Sequence, residues 1–326
     1  MAQRVLITGL NGFVGPYLAR ALADAGHRVA ATRYGPLRPH PVELPAVEPL
    51  VELDVRDGGA VRRCLASVRP DGVIHLAGFS EPHRSLGQPL LTAEINVMGT
   101  LHVLEAMKAE TPSARCVVVG SGDVYGAQQP GEAPFSEDSP LRPRNPYAVT
   151  KAAADLLAEG YGREPHRLDV VRVRPFNHTG PGQQRGLVCP DFAYGIAALA
   201  ADGAREGTLE VGNLDSAKDF TDVRDMVRGY VLALEHGERG EAYNLASGRT
   251  VRVRDILTEL ARVAGVAVTP RANPAFAGSV TTEVRATAER FRACTGWEAS
   301  IPFERTLAEL YEYCRRTLRD EGTSQT

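Results

Sequence analysis

Short apolar runs alternate with longer segments of helical period through the first half of the chain. Residues 5–8, 29–32, 50–54, 72–77, 116–120 and 169–173 are runs rich in Val, Ile, Leu and Ala. Between them, 13–25, 59–68, 92–109 and 147–161 repeat apolar side chains at helical spacing. Strands that are apolar throughout are buried on both faces, which requires a parallel sheet covered by helices. The repeated strand–helix unit predicts an α/β fold, a Rossmann-type doubly wound parallel sheet.

The rhythm changes after Arg174. RPFNHTGPGQQRG is rich in Gly, Pro, Asn and Gln and reads as a loop. Beyond it the pattern predicts helices at 188–201, 223–236, 253–264, 287–294 and 302–318, with short strands near 208–211 and 242–245. These shorter, mixed elements predict a smaller α+β lobe over the carboxyl edge of the sheet. The expected division is a Rossmann domain over 1–174 and a substrate lobe formed mainly by 175–318. The chain crosses back between the two, and 319–326 is expected to be a frayed tail.

Composition removes several function classes. A net charge of -3, with 24% charged residues, gives no electrostatic reason to expect nucleic acid or an anionic membrane as a partner. MAQRVLITGLNGFVG turns glycine-rich after a short apolar run, unlike a signal peptide. No run approaches the ~20 apolar residues of a membrane helix. The expectation is a cytoplasmic protein. Its five cysteines lie at neither metal-ligand nor CxxC spacing, so reduced thiols are expected. His75 opens HLAG on a central strand and reads as a core histidine. His83 and His166 have no partner at metal spacing, so no metal site is expected.

The first candidate chemistry is VLITGLNGFVG, which places Gly9, Gly12 and Gly15 after a strand and at the start of a helix. Gly9 permits a tight turn, Gly12 lets backbone approach a pyrophosphate, and Gly15 lets the helix sit close to the strand. With Asn11, Phe13 and Val14 between them, this predicts a dinucleotide at a helix N-terminus. An NAD site usually carries an acid at the end of the second strand. This strand ends with Thr32 and Arg33, a hydroxyl and a cation, which suits the 2′-phosphate of NADP(H); NAD(H) stays possible. Asp54 is placed either to touch the adenine or to cap the helix that follows.

The second is YAVTK, in which Tyr147 and Lys151 stand one helical turn apart on a common face. A lysine charge favours the phenolate, so Tyr147 can exchange a proton near neutral pH. RPRNP before it supplies a helix start. Ser121, leaving the strand of CVVVGSGDVYG, can donate a second hydrogen bond to a substrate oxygen. Such a group polarises a carbonyl or alcohol for hydride transfer.

TGLNGFVG, HLAG, NVMGT, SGDVYG, YAVTK and RPFNHTGPGQ together resemble the extended short-chain dehydrogenases/reductases that modify nucleotide sugars, over nearly the whole chain. RPFNHTGPGQ and VGNLDSAKDFTDVRD are similar to the branch acting on GDP-mannose derivatives. The likeness is greatest to GDP-6-deoxy-4-keto-mannose reductases and next to GDP-mannose 4,6-dehydratases. It implies that Ser121, Tyr147 and Lys151 are catalytic and that Asn96 supports the central helix. Val55, Leu76, Ala77 and Gly78 would join the cofactor site, and Asn177 and His178 would lie between nicotinamide and substrate phosphates. Val188, Asn213, Lys218 and Arg224 would bind the nucleotide sugar. A homodimer built on paired long helices follows by the same analogy.

Asp123 decides between reactions. A 4,6-dehydratase oxidises C4, removes the C5 proton and protonates the departing C6 hydroxyl, using a carboxylate usually supplied by Glu. Asp is one methylene shorter, and misplacement on the order of 1 Å can cost ~10²-fold in rate. Reduction of a 4-keto sugar is therefore the expected reaction, with dehydration the alternative, epimerisation third, and a non-catalytic cofactor-binding protein the reading from another class. One departure from the resemblance concerns the substrate: 273–282, where relatives place a diphosphate-binding arginine, has no cation. Lys218, Arg185 or Arg224 would have to compensate.

Overall fold

Strands and helices alternate from the start: β1 (Arg4–Thr8), α1 (Val14–Asp24), β2 (Arg28–Arg33), β3 (Val47–Glu52), α2 (Gly58–Val68) and β4 (Gly72–His75). The structure, a computed structural model, describes residues 2–129, 131–273 and 282–323. A short α3 (Pro82–Ser85) and α4 (Pro89–Ala93) follow. Glu94–Met98 then forms one π-helical turn that continues into α5 (Gly99–Glu110). Next come β5 (Arg115–Val119), a 3₁₀ turn at Gly122–Tyr125, α6 (Pro146–Gly162) and β6 (Asp169–Pro175).

Later elements are β7 (Asn177–Thr179), α7 (Val188–Ala201), β8 (Glu206–Val211), β9 (Ala217–Asp222), α8 (Val223–His236) and β10 (Ala242–Leu245). The described chain closes with β11 (Thr250–Arg252), α9 (Val253–Ala264), β12 (Ala267–Ala272), α10 (Glu289–Thr295) and α11 (Phe303–Thr323).

The principal sheet has seven parallel strands in the order β10-β6-β5-β4-β1-β2-β3. Strand order reverses between β1 and β4, which opens a crevice at their carboxyl ends. One face is covered by α1 and α8 through Leu18, Leu22, Met226 and Tyr230. The other is covered by α2, α5 and α6 through Leu65, Leu104, Met107 and Ala158. A third core joins α7, α9 and α11 through Ile196, Ile256, Leu260 and Leu310. β10, α8 and α10 come from beyond residue 174 yet pack on the large sheet.

Three differences from the sequence pattern have physical reasons. The stretch read as a loop after Arg174 contains β7, which pairs with Phe220–Asp222 of β9, a strand that the pattern did not predict. A three-residue strand of Asn, His and Thr and a six-residue strand carrying Lys, Thr and two Asp present no apolar alternation. The helix expected at 92–109 is interrupted by the π-helical turn, a feature that often accompanies functional positions. Finally, α11 runs to Thr323, through residues expected to fray; residues 324–326 lie outside the described chain.

Candidate active site

A cleft of about 1590 Å³ runs along the carboxyl ends of the central strands. Glycine makes one wall. Gly9 has φ +81°, and a Cβ there would stand 2.9 Å from the Ala77 Cα. A Cβ on Gly15 would lie 2.2 Å from the Leu10 carbonyl oxygen. α1 starts with no side-chain cap and no acid in its first turn, beside Asn11, Gly12, Phe13 and Val14 on the cleft wall. Unclaimed helix-start amides and a wall stripped of Cβ atoms fit a dinucleotide pyrophosphate.

The end of β2 differs from expectation. Thr32 lines the cleft, and its hydroxyl accepts the Gly9 N–H at 3.3 Å. Arg33 is drawn away: its guanidinium pairs with Glu52 at 2.7 Å and donates to the Gly35 carbonyl. Arg38, hydrogen-bonded to Gln184, and Arg56 line the cleft instead. Asp54 also lines it, and its carboxylate accepts the Arg56 N–H and guanidinium. That charge-assisted bond holds the Asp54 carboxyl below the usual range. The cap of α2 is Asp57, which accepts from the Ala60 N–H at 2.9 Å, so Asp54 does not cap it. Val55, Leu76, Ala77 and Gly78 complete this wall.

Ser121, Asp123, Tyr147 and Lys151 all line the cleft. Ser121 ends β5 and its Oγ accepts the Asp123 N–H at 3.1 Å, which leaves the hydroxyl proton free to be donated. Asn145 starts α6 by accepting the Ala148 N–H at 2.8 Å, with Pro146 in the first turn. Tyr147 is anchored through its own N–H to Ser85 Oγ, and Lys151 Nζ donates to the Val119 carbonyl at 2.9 Å.

The electrostatics correct one expectation. Burial and then the Asp123 carboxylate push the Tyr147 phenol well above its ordinary value, opposed only by the Ser121 hydroxyl. The lowering expected from Lys151 is not what this geometry gives. Burial pulls Lys151 itself down to about 8. Tyr147 is therefore held protonated at neutral pH.

Polar groups behind the site fix its shape. Asn96, in the π-helical turn, accepts the Phe79 N–H at 2.7 Å and donates to Thr150 Oγ1 at 3.0 Å, tying the long helix to α6. His75 accepts from Thr8 and bonds Thr100 within the core, and burial lowers it to about 3. Asp155 on α6 receives Arg172 at 2.8 Å and both arms of Arg174. Arg174 also donates to the Tyr125 hydroxyl, which donates to Asn244. Sequence reasoning missed this network, although two arginines inside the apolar run DVVRVRP were a signal. Gly122 is set by packing: a Cβ there would meet the Phe176 ring at 2.9 Å.

The opposite wall is built from side chains. Asn177, His178, Val188, Asn213 and Lys218 all line the cleft. Asn177 Nδ2 donates to the Asp219 carbonyl at 3.1 Å, and Asn213 Oδ1 accepts the Asp215 N–H. His178 stacks on Phe13 at 6.3 Å, and burial keeps its imidazole neutral. Asp219, fully buried and raised to about 6 by desolvation, fastens β9 to Ser247 and Gly248 through their N–H groups. Lys218 and Arg185 line the cleft and form no ion pair with any described residue. Arg224 does not join them. It is held by Asp222 at 2.8 Å and Glu309 at 2.7 Å, away from the cleft lining. The cation-free stretch beyond Asn273 lies outside the described residues as far as 281.

A nucleotide-binding α/β oxidoreductase is the class that this fold and cleft define. The chain belongs to the GDP-mannose 4,6 dehydratase family, whose profile matches residues 6–310. It is 36% identical over 323 residues to GDP-6-deoxy-D-mannose reductase of Pseudomonas aeruginosa, covering 98% of this chain and 100% of that protein. It is 29% identical over 278 residues to GDP-mannose 4,6-dehydratase of Yersinia enterocolitica, covering 82% of this chain and 73% of that one. Among solved structures, RMD from Pseudomonas aeruginosa complexed with NADPH matches with a TM-score of 0.83 at 33% identity, over 97% of this chain and 99% of that chain.

Proposed function

We propose that the protein uses NADPH to reduce the 4-keto group of a 4-keto-6-deoxy nucleotide sugar. The substrate is GDP-4-keto-6-deoxy-D-mannose and the product GDP-D-rhamnose or its C4 epimer; NADH is the poorer cofactor. The observation that carries this reading is the protonated, buried Tyr147 beside Ser121 at the cleft. The full-length likeness to a reductase supports it.

Bound along the glycine wall, the cofactor supplies hydride from its nicotinamide ring. Ser121 donates a hydrogen bond to the C4 oxygen, and Tyr147 gives that oxygen a proton as it gains charge. Lys151 stabilises the phenolate left behind. Asp123 acts against an ionised Tyr147, which suits a proton donor better than the base that oxidation of an alcohol needs. Lys218 and Arg185 hold the diphosphate, in place of the arginine that the sequence lacks. Asn177, Val188 and Asn213 contact the nucleotide sugar, and His178 stands beside the nicotinamide. Residues from 175 onward supply most of this substrate lobe.

The finer assembly reading is a cytoplasmic homodimer. Leu90 and Met98 on the long helix and Val149 and Leu156 on α6 are exposed apolar side chains on neighbouring elements, the kind of surface a second copy covers. No helix among the described residues is long and apolar enough to cross a membrane.

The deciding measurement is NADPH oxidation on mixing with GDP-4-keto-6-deoxymannose, beside GDP-mannose without added cofactor. Oxidation with the keto sugar and none of its 4-keto product from GDP-mannose supports reduction. A 4-keto product from GDP-mannose would instead make Asp123 the acid/base of a dehydratase.

A further inference from the structure

Tyr230 sits on α8, within the core between that helix and the sheet, and is 1% exposed. It nevertheless contributes to the lining of the cleft. The core around it includes Val173, with Leu76 and Val119 packed against the same cluster, and the Tyr147 phenol is its polar neighbour. No hydrogen bond joins that hydroxyl to any described residue.

Three other buried tyrosines are satisfied. Tyr17 donates to the Pro181 carbonyl at 2.9 Å, Tyr125 donates to Asn244 at 2.7 Å, and Tyr243 accepts the Glu238 N–H at 3.0 Å. A hydroxyl on the cleft lining with no hydrogen bond to a described residue is available to a ligand atom, and one such bond is worth about 0.5–1.5 kcal/mol.

We propose that the Tyr230 hydroxyl binds the carboxamide of the nicotinamide ring on the floor of the cleft. This inference rests on the dinucleotide reading above and assigns one residue within it. The floor calls for a flat, largely apolar ring with a single neutral polar group, because Leu76, Val119 and Pro175 line the cleft with Tyr230. A neutral amide suits a phenol better than a phosphate does, since the phosphate-seeking features, glycine amides and cations, belong to the other walls. Burial and the neighbouring Tyr147 push Tyr230 well above its ordinary value, so it acts as a neutral donor and acceptor at working pH. It is a positioning residue: it sets how the ring lies, while Tyr147 and Ser121 handle the proton.

The test is equilibrium binding, read without turnover, for wild type and Tyr230→Phe. Each is titrated with NADPH and with 2′-phospho-ADP-ribose, which keeps the adenosine, both phosphates of the bridge and the 2′-phosphate but lacks nicotinamide. Tyr230→Phe is expected to weaken NADPH by about tenfold, the loss of one hydrogen bond. Binding of 2′-phospho-ADP-ribose and the melting temperature should stay at wild-type values. Unchanged NADPH affinity would overturn the assignment. So would an equal loss for both ligands, which would mark Tyr230 as packing alone. Failure of wild type to bind NADPH at all would remove the dinucleotide reading together with this inference, an outcome distinguishable from the other two.

Discussion

The two walls of the cleft recognise by different means. The glycine wall presents backbone: helix-start amides, and positions where any Cβ would collide with Ala77 or Leu10. The wall formed by β7, β9 and α7 presents side chains, Asn177, Lys218 and Val188 among them. Backbone recognition is fixed once the chain folds, and suits a group common to all dinucleotides. Side-chain recognition can be retuned one residue at a time, and suits a variable sugar. Short strands can carry it only because buried acids such as Asp219 hold them in place.

If the first wall is backbone, damage to it should appear as lost folding. Gly15→Val puts a branched side chain where even a Cβ would lie 2.2 Å from the Leu10 oxygen. Overpacking typically costs about 1–3 kcal/mol, and here backbone is the obstacle, so the upper end or beyond is expected. Urea unfolding measures it; a variant of unchanged midpoint would mean that α1 can move freely off β1.

Tyr147→Phe tests the chemistry between the walls. It should lower kcat by roughly 10³-fold, within the range for loss of a general acid, and leave NADPH affinity intact. Wild-type turnover in this variant would remove Tyr147 as the proton donor.

How far these walls were legible follows from the same contrast. The glycine spacing, the YAVTK motif and the apolar central strands are local patterns, and they pointed to the architecture and the cleft. Arg33 and Arg224 stand off the cleft lining for a reason that no sequence displays, since it shows a cation but not the acid facing it. Glu52 lies on another strand and Glu309 at the far end of the chain, and both claim those guanidiniums. β7 and β9 were missed because polar residues occupy both the cleft side, as Asn177, His178 and Lys218 do, and the buried side, as Asp219 and Asp222 do, which erases the alternation that marks a strand. The Asp155–Arg172–Arg174 network was invisible for a related reason: its members meet only when α6 packs on β6.

Lys151 joins the walls electrostatically and should set the alkaline limb of activity. Its ammonium, lowered to about 8 by burial, is needed charged to support the phenolate that proton transfer creates. The group is depressed, so its charged form is lost as pH rises through about 8. Turnover should then fall about tenfold per further pH unit, and Lys151→Met should be slow with no limb in that region. A wild-type rate that stays flat to pH 10 would assign the support of the phenolate elsewhere.

On the side-chain wall, Lys218→Met should raise the substrate KM by about tenfold, since one charge-assisted bond is worth roughly 1.5–3 kcal/mol. Arg224→Met should leave KM nearly unchanged and lower stability, because Asp222 is buried and would keep an unpaired charge. The reverse pattern would move the diphosphate toward α8.

The smallest expected effect concerns the edge of the glycine wall, the one place where it depends on a side chain. Glu52 holds Arg33 in a partly exposed ion pair, worth no more than about 1 kcal/mol. A 2′-phosphate can compete for that guanidinium, at the cost of breaking the pair. Glu52→Gln removes the competitor, so NADPH should bind up to about fivefold more tightly while NADH stays the same. Fluorescence titration with both cofactors reads the difference directly. A gain for both would mean that the 33–35 turn had merely rearranged. No gain for either would leave Arg33 a strut of that turn, and Arg38 and Arg56, which do line the cleft, as the cations that distinguish the two cofactors.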